Sequence, residues 1–453
     1  MMNLWKATFG DSDEYIKLVF DEYFNIDNVD YIYDNTLLVS SLFSVKYYLG
    51  YNNICYDNDN NICIDKFKNK LSSAYLCGLA TLPDYRNKGL MSKLINKYNA
   101  KLLNDKVAIS FLIPADSNLK YFYKKVGYTD MSYYNTDIYT SIHSFDDLLD
   151  YNISEYNNYG IKISNKRHVD YIVVDVNKYF CSVLNNVSEI SNSDRSLITN
   201  DSLLNAIYNY LCESAIGCSG LRIYYSYKDF INVIRENIIN KGKILFIKNH
   251  DNKPLGLLVC SIIVEGAVNV QLLLSNSKEI ENILLQSLKF LLKENVSLSV
   301  RSNGVGNKLY SPFVVEEGTP VGDVNMFTDI SDLYKRRKSF AMAKILNVAE
   351  VLKFVAASHP SSEFSILIKQ DDFVQNQGFY SVSRGNMTFT PLTRISSEEL
   401  SRIEVRCRED VNCFSISVPE LAAFLWRNTN PNSIQDTAIA IPRFPVNVAL
   451  LLE

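Results

Sequence analysis

A proline fixes the first piece of architecture in this chain. Residues Leu76–Leu82 mix short apolar and small side chains as a strand does, and Pro83, lacking an N–H, forbids the next ladder hydrogen bond. From Ser92 the run Ser-Lys-Leu-Ile-Asn-Lys-Tyr takes up helical spacing. The order strand, turn, helix follows.

The turn itself, within Leu79-Ala80-Thr81-Leu82-Pro83-Asp84-Tyr85-Arg86-Asn87-Lys88-Gly89-Leu90-Met91, carries two cations and a residue without Cβ. The first turn of a helix leaves backbone N–H groups unpaired, so these residues gather main-chain donors, the positive end of a helix dipole and positive side chains at one point. Such a cradle suits a pyrophosphate. An ordinary strand-to-helix turn with surface Lys and Arg reads the same way at this length.

At 453 residues the chain exceeds what one core usually organises, and two to four domains are expected. With 47% apolar and 21% charged residues it reads as globular, and a formal charge of −4 without long basic blocks gives no pull toward nucleic acid. A cationic or neutral partner is easier. Cys55, Cys63, Cys77, Cys181, Cys212, Cys218, Cys260, Cys407 and Cys413 are scattered, with no Cys-x-x-Cys and no neighbouring His. Reduced thiols in a cytoplasm are expected, without zinc or a disulfide framework. The start, Met-Met-Asn-Leu-Trp-Lys-Ala-Thr, lacks the features of a signal peptide, and the longest apolar run, Leu255–Val264, is too short to span a bilayer.

Along the chain, Tyr15–Phe24 repeats apolar residues at helical spacing behind the capping sequence Asp11-Ser-Asp-Glu. Strands are expected at Tyr31–Tyr33 and Thr36–Val45, a loop or hairpin tip at Tyr56–Asn61, and further strands at Val107–Ile113 and Asp137–Thr140, completing a mixed sheet with helices on its faces. A second section opens at Ile142. There Ile161–Ser164 and Tyr171–Val176 read as extended, Ser202–Cys212 and Tyr227–Ile239 as helices, Lys243–Lys248 and Leu255–Val264 as a hairpin, Val268–Leu274 as a strand and Glu279–Leu292 as a helix. Near Val321 the pattern shifts again, with strands expected at Phe364–Ile368, Gly378–Arg384, Met387–Thr390 and Ser415–Ile416. A late helix follows at Val418–Trp426, whose Pro419 occupies a permitted first-turn position.

The loop Arg86–Met91 between strand and helix, the second strand Phe111-Leu-Ile-Pro and the run Asn118-Leu-Lys-Tyr-Phe-Tyr-Lys-Lys-Val-Gly-Tyr128 together resemble the GNAT acetyltransferases. In that superfamily the coenzyme A loop reads Arg/Gln-x-x-Gly-x-Gly/Ala and the next helix ends in an aromatic, Gly, Phe/Tyr signature. Met91 departs from Gly or Ala at the third loop position, as in the enhanced intracellular survival (Eis) branch. The resemblance is good over residues 1–140 and weaker beyond. It implies an α+β protein: a GNAT fold over residues 1–141 with a mixed, mostly antiparallel sheet, binding acetyl-CoA and no metal, and a sterol carrier protein-like domain over 323–453. Between them, the order strand, hairpin, strand, helix makes 142–322 a degenerate GNAT-like copy, since Ser275-Asn-Ser-Lys278 replaces Arg-x-x-Gly. An unrelated α+β domain fits the same pattern.

Acyl transfer from a thioester needs a bound donor, a stabiliser for the oxyanion, and groups that take a proton from the nucleophile and give one to the thiolate. The resemblance assigns the donor to Arg86, Asn87, Lys88, Gly89, Leu90 and Met91. It assigns the oxyanion to main-chain N–H groups of Leu79, Ala80 and Thr81, on a strand that splays from its neighbour. Tyr123, four residues before Gly127, occupies the family's general-acid position. A phenol with a pKa near ~10 is protonated at neutral pH; a core tyrosine is the other reading. Tyr121, two residues away, would face elsewhere. Asn118 is expected to cap the helix that begins there or to hydrogen-bond pantetheine, capping being preferred. Only His143, His168, His250 and His359 exist, none in the first section's motifs, which argues against a histidine base. In Eis-type enzymes the terminal carboxylate serves the amine, which carried over falls on Glu453. The apolar tail Phe444–Glu453 suits burial but lacks an aromatic last residue, and a buried terminal strand explains it equally. Asp21, Glu22, Asp27 and Asp30 are candidates to line an acceptor pocket.

The expected function is acetyl-CoA-dependent N-acetylation by direct attack of an amine, on a small molecule or a protein lysine. Nucleic acid and membrane are not expected partners, and the resemblance allows a homo-oligomer. The competing readings are a coenzyme A-binding protein without turnover, and a lipid-binding role for the C-terminal part.

Overall fold

The computed structural model describes residues 1–50, 69–139, 151–165, 170–185, 201–214, 221–264, 267–292, 297–302, 338–339, 341–426, 441 and 446–447. The segment 56–61, the shift near Val321 and the terminal residue Glu453 lie outside them.

The first sheet grows around two long antiparallel strands, β2 (Leu37–Gly50) and β3 (Lys70–Thr81), with β1 (Val29–Asp34) on the outer edge of β2. Strand β4 (Ile109–Leu112) lies parallel to β3, and β5 (Thr129–Asp130) closes the far edge. Side chains of β3 alternate between faces. Ala74 and Leu76 pack beneath helix α3 (Leu90–Asn104) and helix α4 (Ser117–Lys125), whereas Tyr75 and Cys77 face the other way. On that second face α1 (Met2–Phe9) and α2 (Asp13–Glu22) bring Trp5, Ile16 and Val19 against Phe43. Ser12, within the expected capping sequence, caps α2, its side chain accepting from Tyr15 N.

Three further strands enter this sheet from far along the chain. Leu221–Tyr224 pairs with the end of β2, Val446–Asn447 lies beside it, and Met342–Ile345 inserts between β4 and β5, antiparallel to both. The expectation that Asp137–Thr140 completes the first sheet is corrected. Strand Tyr133–Tyr139 instead pairs with Ser297–Ser302 in a second sheet. The two sheets thus each take a strand from across the divisions expected at 141 and 322. The physical reason is edge pairing: β5 spans two residues, leaving β4 with main-chain groups that Met342–Ile345 satisfies over its whole length.

The second sheet orders its strands as 338–339, 133–139, 297–302, 267–275, 254–264, 243–249, 170–175, 160–165 and 151–157. Helix Lys278–Leu292 covers one face, and helices Val176–Asn185, Ser202–Ser214 and Tyr227–Ile239 the other. Within it, Ala267–Ser275 leads into a helix and then into the parallel strand 297–302, which it pairs with only over 267–270. A third, four-stranded sheet (386–391, 378–383, 364–368, 413–415) packs with helices Val348–Ser358 and Val418–Trp426 in one continuous core with the Tyr75 face of the first.

Among the described residues no helix is long and apolar enough to cross a membrane, and no three His, Cys, Asp or Glu side chains gather as a metal would require. Cys77, Cys181, Cys212, Cys260, Cys407 and Cys413 are free thiols.

Candidate active site

Strand β3 loses its parallel neighbour before it ends. Pairing with β4 covers Ser73 to Tyr75 alone, while pairing with β2 continues to Thr81. A bulge interrupts the latter: Cys77 faces Phe43 and Ala80 faces Ser41, so Gly78 and Leu79 stand opposite the single residue Leu42. Gly78 takes φ +59, and a Cβ there would lie 2.6 Å from Trp5 Cζ3 and 2.9 Å from Phe43 Cε1. Glycine is required by both its backbone and its neighbours. Sequence reasoning passed over Gly78, although a lone glycine within a strand pattern is itself a bulge signal.

Beyond the bulge, Ser40 Oγ lies 2.8 Å from Thr81 Oγ1 and donates to the Ala80 carbonyl, which holds the strand end against β2. Leu82 N donates to Val39 O, and Pro83–Tyr85 forms one 3-10 turn. Arg86 follows, exposed, with Nε donating 3.2 Å to Thr81 O. Lys88 stacks its ammonium 4.7 Å from the Tyr85 ring, whose hydroxyl donates to Asp34. Asn87 and Gly89 both have positive φ, 61 and 74 degrees. This alternation turns successive N–H groups to one side.

Helix α3 then begins at Leu90 without a side-chain cap. Its first intrahelical bond runs from Lys93 N to Gly89 O, so the N–H groups of Leu90, Met91 and Ser92 precede the ladder. Open space surrounds the position of a Gly89 Cβ. Main-chain donors, the positive end of the helix dipole and the exposed side chains of Arg86 and Lys88 are therefore gathered in one short segment, a combination that attracts anions. Apolar residues Leu94, Ile95, Tyr98 and Leu102 recur at helical spacing and bury the opposite face of α3, fixing where its N-terminus points.

Tyr123 sits on α4, buried, in the cluster that contains Leu76 and Leu94, with Leu79 and Met91 packed against it. Its ring stands edge-on to Phe122 and Tyr128. Burial, followed by the Tyr128 phenol and the Asp116 carboxylate, raises its pKa well above that of a free tyrosine. No hydrogen bond to the Tyr123 hydroxyl occurs among the described residues. Tyr121, by contrast, is 66% exposed and carries the Lys125 ammonium over its ring. Tyr128, behind Tyr123, bonds to Ser110 and Asn99; burial pushes its phenol up to about 12 although both hydrogen bonds oppose the rise.

The capping expected of Asn118 belongs to Asp116, whose side chain accepts from Leu119 N at 2.8 Å. Asn118 is exposed in the first turn of α4. Among the acidic candidates, Glu22 is tied to Arg235 at 2.6 Å and Lys228 at 3.2 Å, and Asp30 to Lys97 at 2.8 Å. Burial raises the Glu22 pKa, but the hydrogen bonds from Arg235 and Lys228 outweigh it and hold the carboxyl below its ordinary value. Asp21 and Asp27 are exposed.

Leu79 of the strand end and Met91 at the close of the loop thus pack against the hydrophobic cluster that holds Tyr123, while Glu453 lies outside the described residues. Comparison with curated proteins by sequence gives no match. The overall fold is similar to that of three solved proteins. A GCN5-related N-acetyltransferase from Anabaena variabilis has a TM-score of 0.56 at 14% identity, covering 96% of this chain and 89% of that one. A probable N-acyltransferase from Enterococcus faecalis has 0.52 at 12%, covering 86% and 82%. Eis1 from Mycobacterium abscessus has 0.51 at 10%, covering 99% and 94%. Residues 65–131 match the model of the acetyltransferase (GNAT) domain, a span that contains the bulged strand, the cationic loop, α3 and Tyr123, and over which the chain carries a GNAT acetyltransferase domain.

Proposed function

We propose that the chain is an acetyl-CoA-dependent N-acetyltransferase of the Eis-like branch, acting by direct attack of an amine on the bound thioester. The observation that carries this reading is the departure of β3 from β4 after Tyr75, beside a loop that ends in uncapped helical N–H groups. The diphosphate would lie on Arg86–Met91, and the pantetheine arm would enter the gap left by the absent strand partner, with Asn118 at its rim. The thioester oxygen would then meet main-chain N–H groups of Leu79–Thr81 as it becomes an oxyanion.

The amine nitrogen forms the new bond to the carbonyl carbon and the C–S bond breaks. Tyr123, kept protonated by its burial, supplies the proton that the thiolate takes up. The proton leaving the amine falls to the α-carboxylate of Glu453, a role that rests on the family resemblance alone. Acceptors are amines of small molecules or protein lysines.

We read the second sheet as a degenerate GNAT-like copy. It repeats the sequence of hairpin, strand, helix and briefly paired parallel strand, but the first turn of its helix, which begins at Lys278, carries Glu279 and Glu281, two carboxylates against one ammonium where a phosphate would bind. Residues 323–453 are read as a sterol carrier protein-like unit that supplies packing and a substrate wall. Free thiols suit a cytoplasmic setting.

The test is thiol release from acetyl-CoA across aminoglycosides, polyamines and lysine peptides. Release with at least one amine is expected, slowed by about a hundredfold in Tyr123→Phe. Calorimetric binding of acetyl-CoA with no release from any amine would instead mark a binding protein on this fold.

A further inference from the structure

The residue that ties the C-terminal part of the chain to the proposed acid is Lys344. It lies on the strand Met342–Ile345, directly opposite Ser110 of β4, and its side chain is only 5% exposed. Its Nζ donates 3.0 Å to the carbonyl of Val126 and lies 2.7 Å from Asp372 Oδ2. Val126 is the residue that ends α4, where helix carbonyls lack intrahelical partners and the dipole is negative. A cation is well placed there.

The contact bears on Tyr123 through the backbone. The Tyr123 carbonyl accepts from both Val126 N and Tyr128 N at 3.1 Å, so the peptide that Lys344 grips belongs to the turn that closes on Tyr123. Gly127 passes beneath the lysine at φ +90, and a Cβ there would come 3.0 Å from Nζ and 3.2 Å from Cε. On the other side of Gly127, Tyr128 is held by Ser110, the residue facing Lys344 across the strands. The turn after α4 is therefore clamped at both ends by the strand pair that includes residue 344.

We infer that Lys344, braced by Asp372, is a positioning residue that fixes the end of α4 and thereby aims Tyr123 at the thioester cleft. The inference rests on the proton-donor reading of Tyr123. It gives the distant strand Met342–Ile345 a part in turnover, although it comes more than 200 residues after the loop that binds the donor. It also explains why the turn needs glycine at 127.

The test is Lys344→Met and Asp372→Asn, each made also in a Tyr123→Phe background and assayed with acetyl-CoA and whichever amine of the panel turns over fastest. Asp372 is 69% exposed, so its variant keeps the test open if Lys344→Met does not fold. Expected are about a tenfold fall in kcat for Lys344→Met and a smaller one for Asp372→Asn, with KM for acetyl-CoA within about twofold and no further loss when Tyr123 is already Phe. A fluorotyrosine placed at 123 should shift its NMR resonance in either variant. Equal losses in the Tyr and Phe backgrounds, or an unmoved fluorine resonance, would overturn the inference. Full activity of Tyr123→Phe alone would remove the acid reading, and the fluorine resonance would then decide separately whether Lys344 fixes the ring.

Discussion

Arg86 Nε donates to the main-chain oxygen of Thr81 across 3.2 Å, so the first cation of the loop is held by the last residue of the bulged strand. The Arg86 side chain is exposed, and its guanidinium has further N–H donors to offer a phosphate. Arg86→Ala should raise KM for acetyl-CoA by about ten- to a hundredfold, the worth of one or two charge-assisted hydrogen bonds. Arg86→Lys should recover only part, since an ammonium cannot reach Thr81 and a phosphate in one fork. Isothermal titration with acetyl-CoA checks both, and unaltered affinity in the alanine variant would remove Arg86 from the cradle.

Gly89 separates charge from backbone strain. Its φ of +74 disfavours side chains, yet space around it is open, so a substitution there meets no neighbour. Asn tolerates this conformation about as well as Asp does. Gly89→Asn should bind acetyl-CoA within a few-fold of the native chain, whereas Gly89→Asp, setting a carboxylate against phosphate, should weaken binding by at least about tenfold. Equal affinities in the two variants would mean that no anion sits at the start of α3.

The strand, turn and helix around Pro83 were legible because their signals are local: a missing N–H, a spacing change, a glycine before a helix. So was the capped helix at Tyr15, give or take a residue. What spacing could not reveal is which sheet a strand joins. Met342–Ile345 is buried at every position, and such a run suits any interior slot; only the shortness of β5 makes the place beside β4 available. Tyr133–Tyr139 is the converse case, adjacent in sequence to β5 but paired with Ser297–Ser302. Helix α1 has no such local signal, since its N-cap, Met1, makes no side-chain capping hydrogen bond. Its Trp5 proves to pack on Gly78 at the bulge. Asn118 and Asp116 compete for one cap two residues apart, and the choice depends on where the backbone first turns helical.

That bulge gives the third prediction. Gly78→Ala would thrust a methyl into the Trp5 and Phe43 rings while demanding a left-handed backbone, and overpacking of this kind costs about 1–3 kcal/mol before the backbone strain is added. A lowered melting temperature is expected together with a loss of kcat, since the peptide groups after Gly78 are those proposed to meet the oxyanion. Trp5→Leu in the same chain should return part of the stability by making room. Thermal melts of the single and double variants decide the matter; a Gly78→Ala protein that melts normally would show that the rings yield easily.

Tyr123 supplies the last prediction, through pH. Burial disfavours the charged phenolate, so the folded pKa stands above the ordinary value near ~10. A group raised in this way contributes stability that is fully present below the unfolded value and is lost as pH climbs from that value through the folded one. Turnover should therefore show no alkaline decline that depends on Tyr123 up to about pH 10, the free-tyrosine range. Tyr123→Phe should lower kcat by about a hundredfold, the usual worth of general acid catalysis, while leaving acetyl-CoA affinity nearly intact. The phenylalanine variant should also lose less stability than the native chain when pH is raised beyond about 10, because it has no buried phenol to ionise. A native profile that falls between about pH 8 and 10, with that fall absent in Tyr123→Phe, would mean that the phenol ionises too easily to be the group described, and would place its hydroxyl in water.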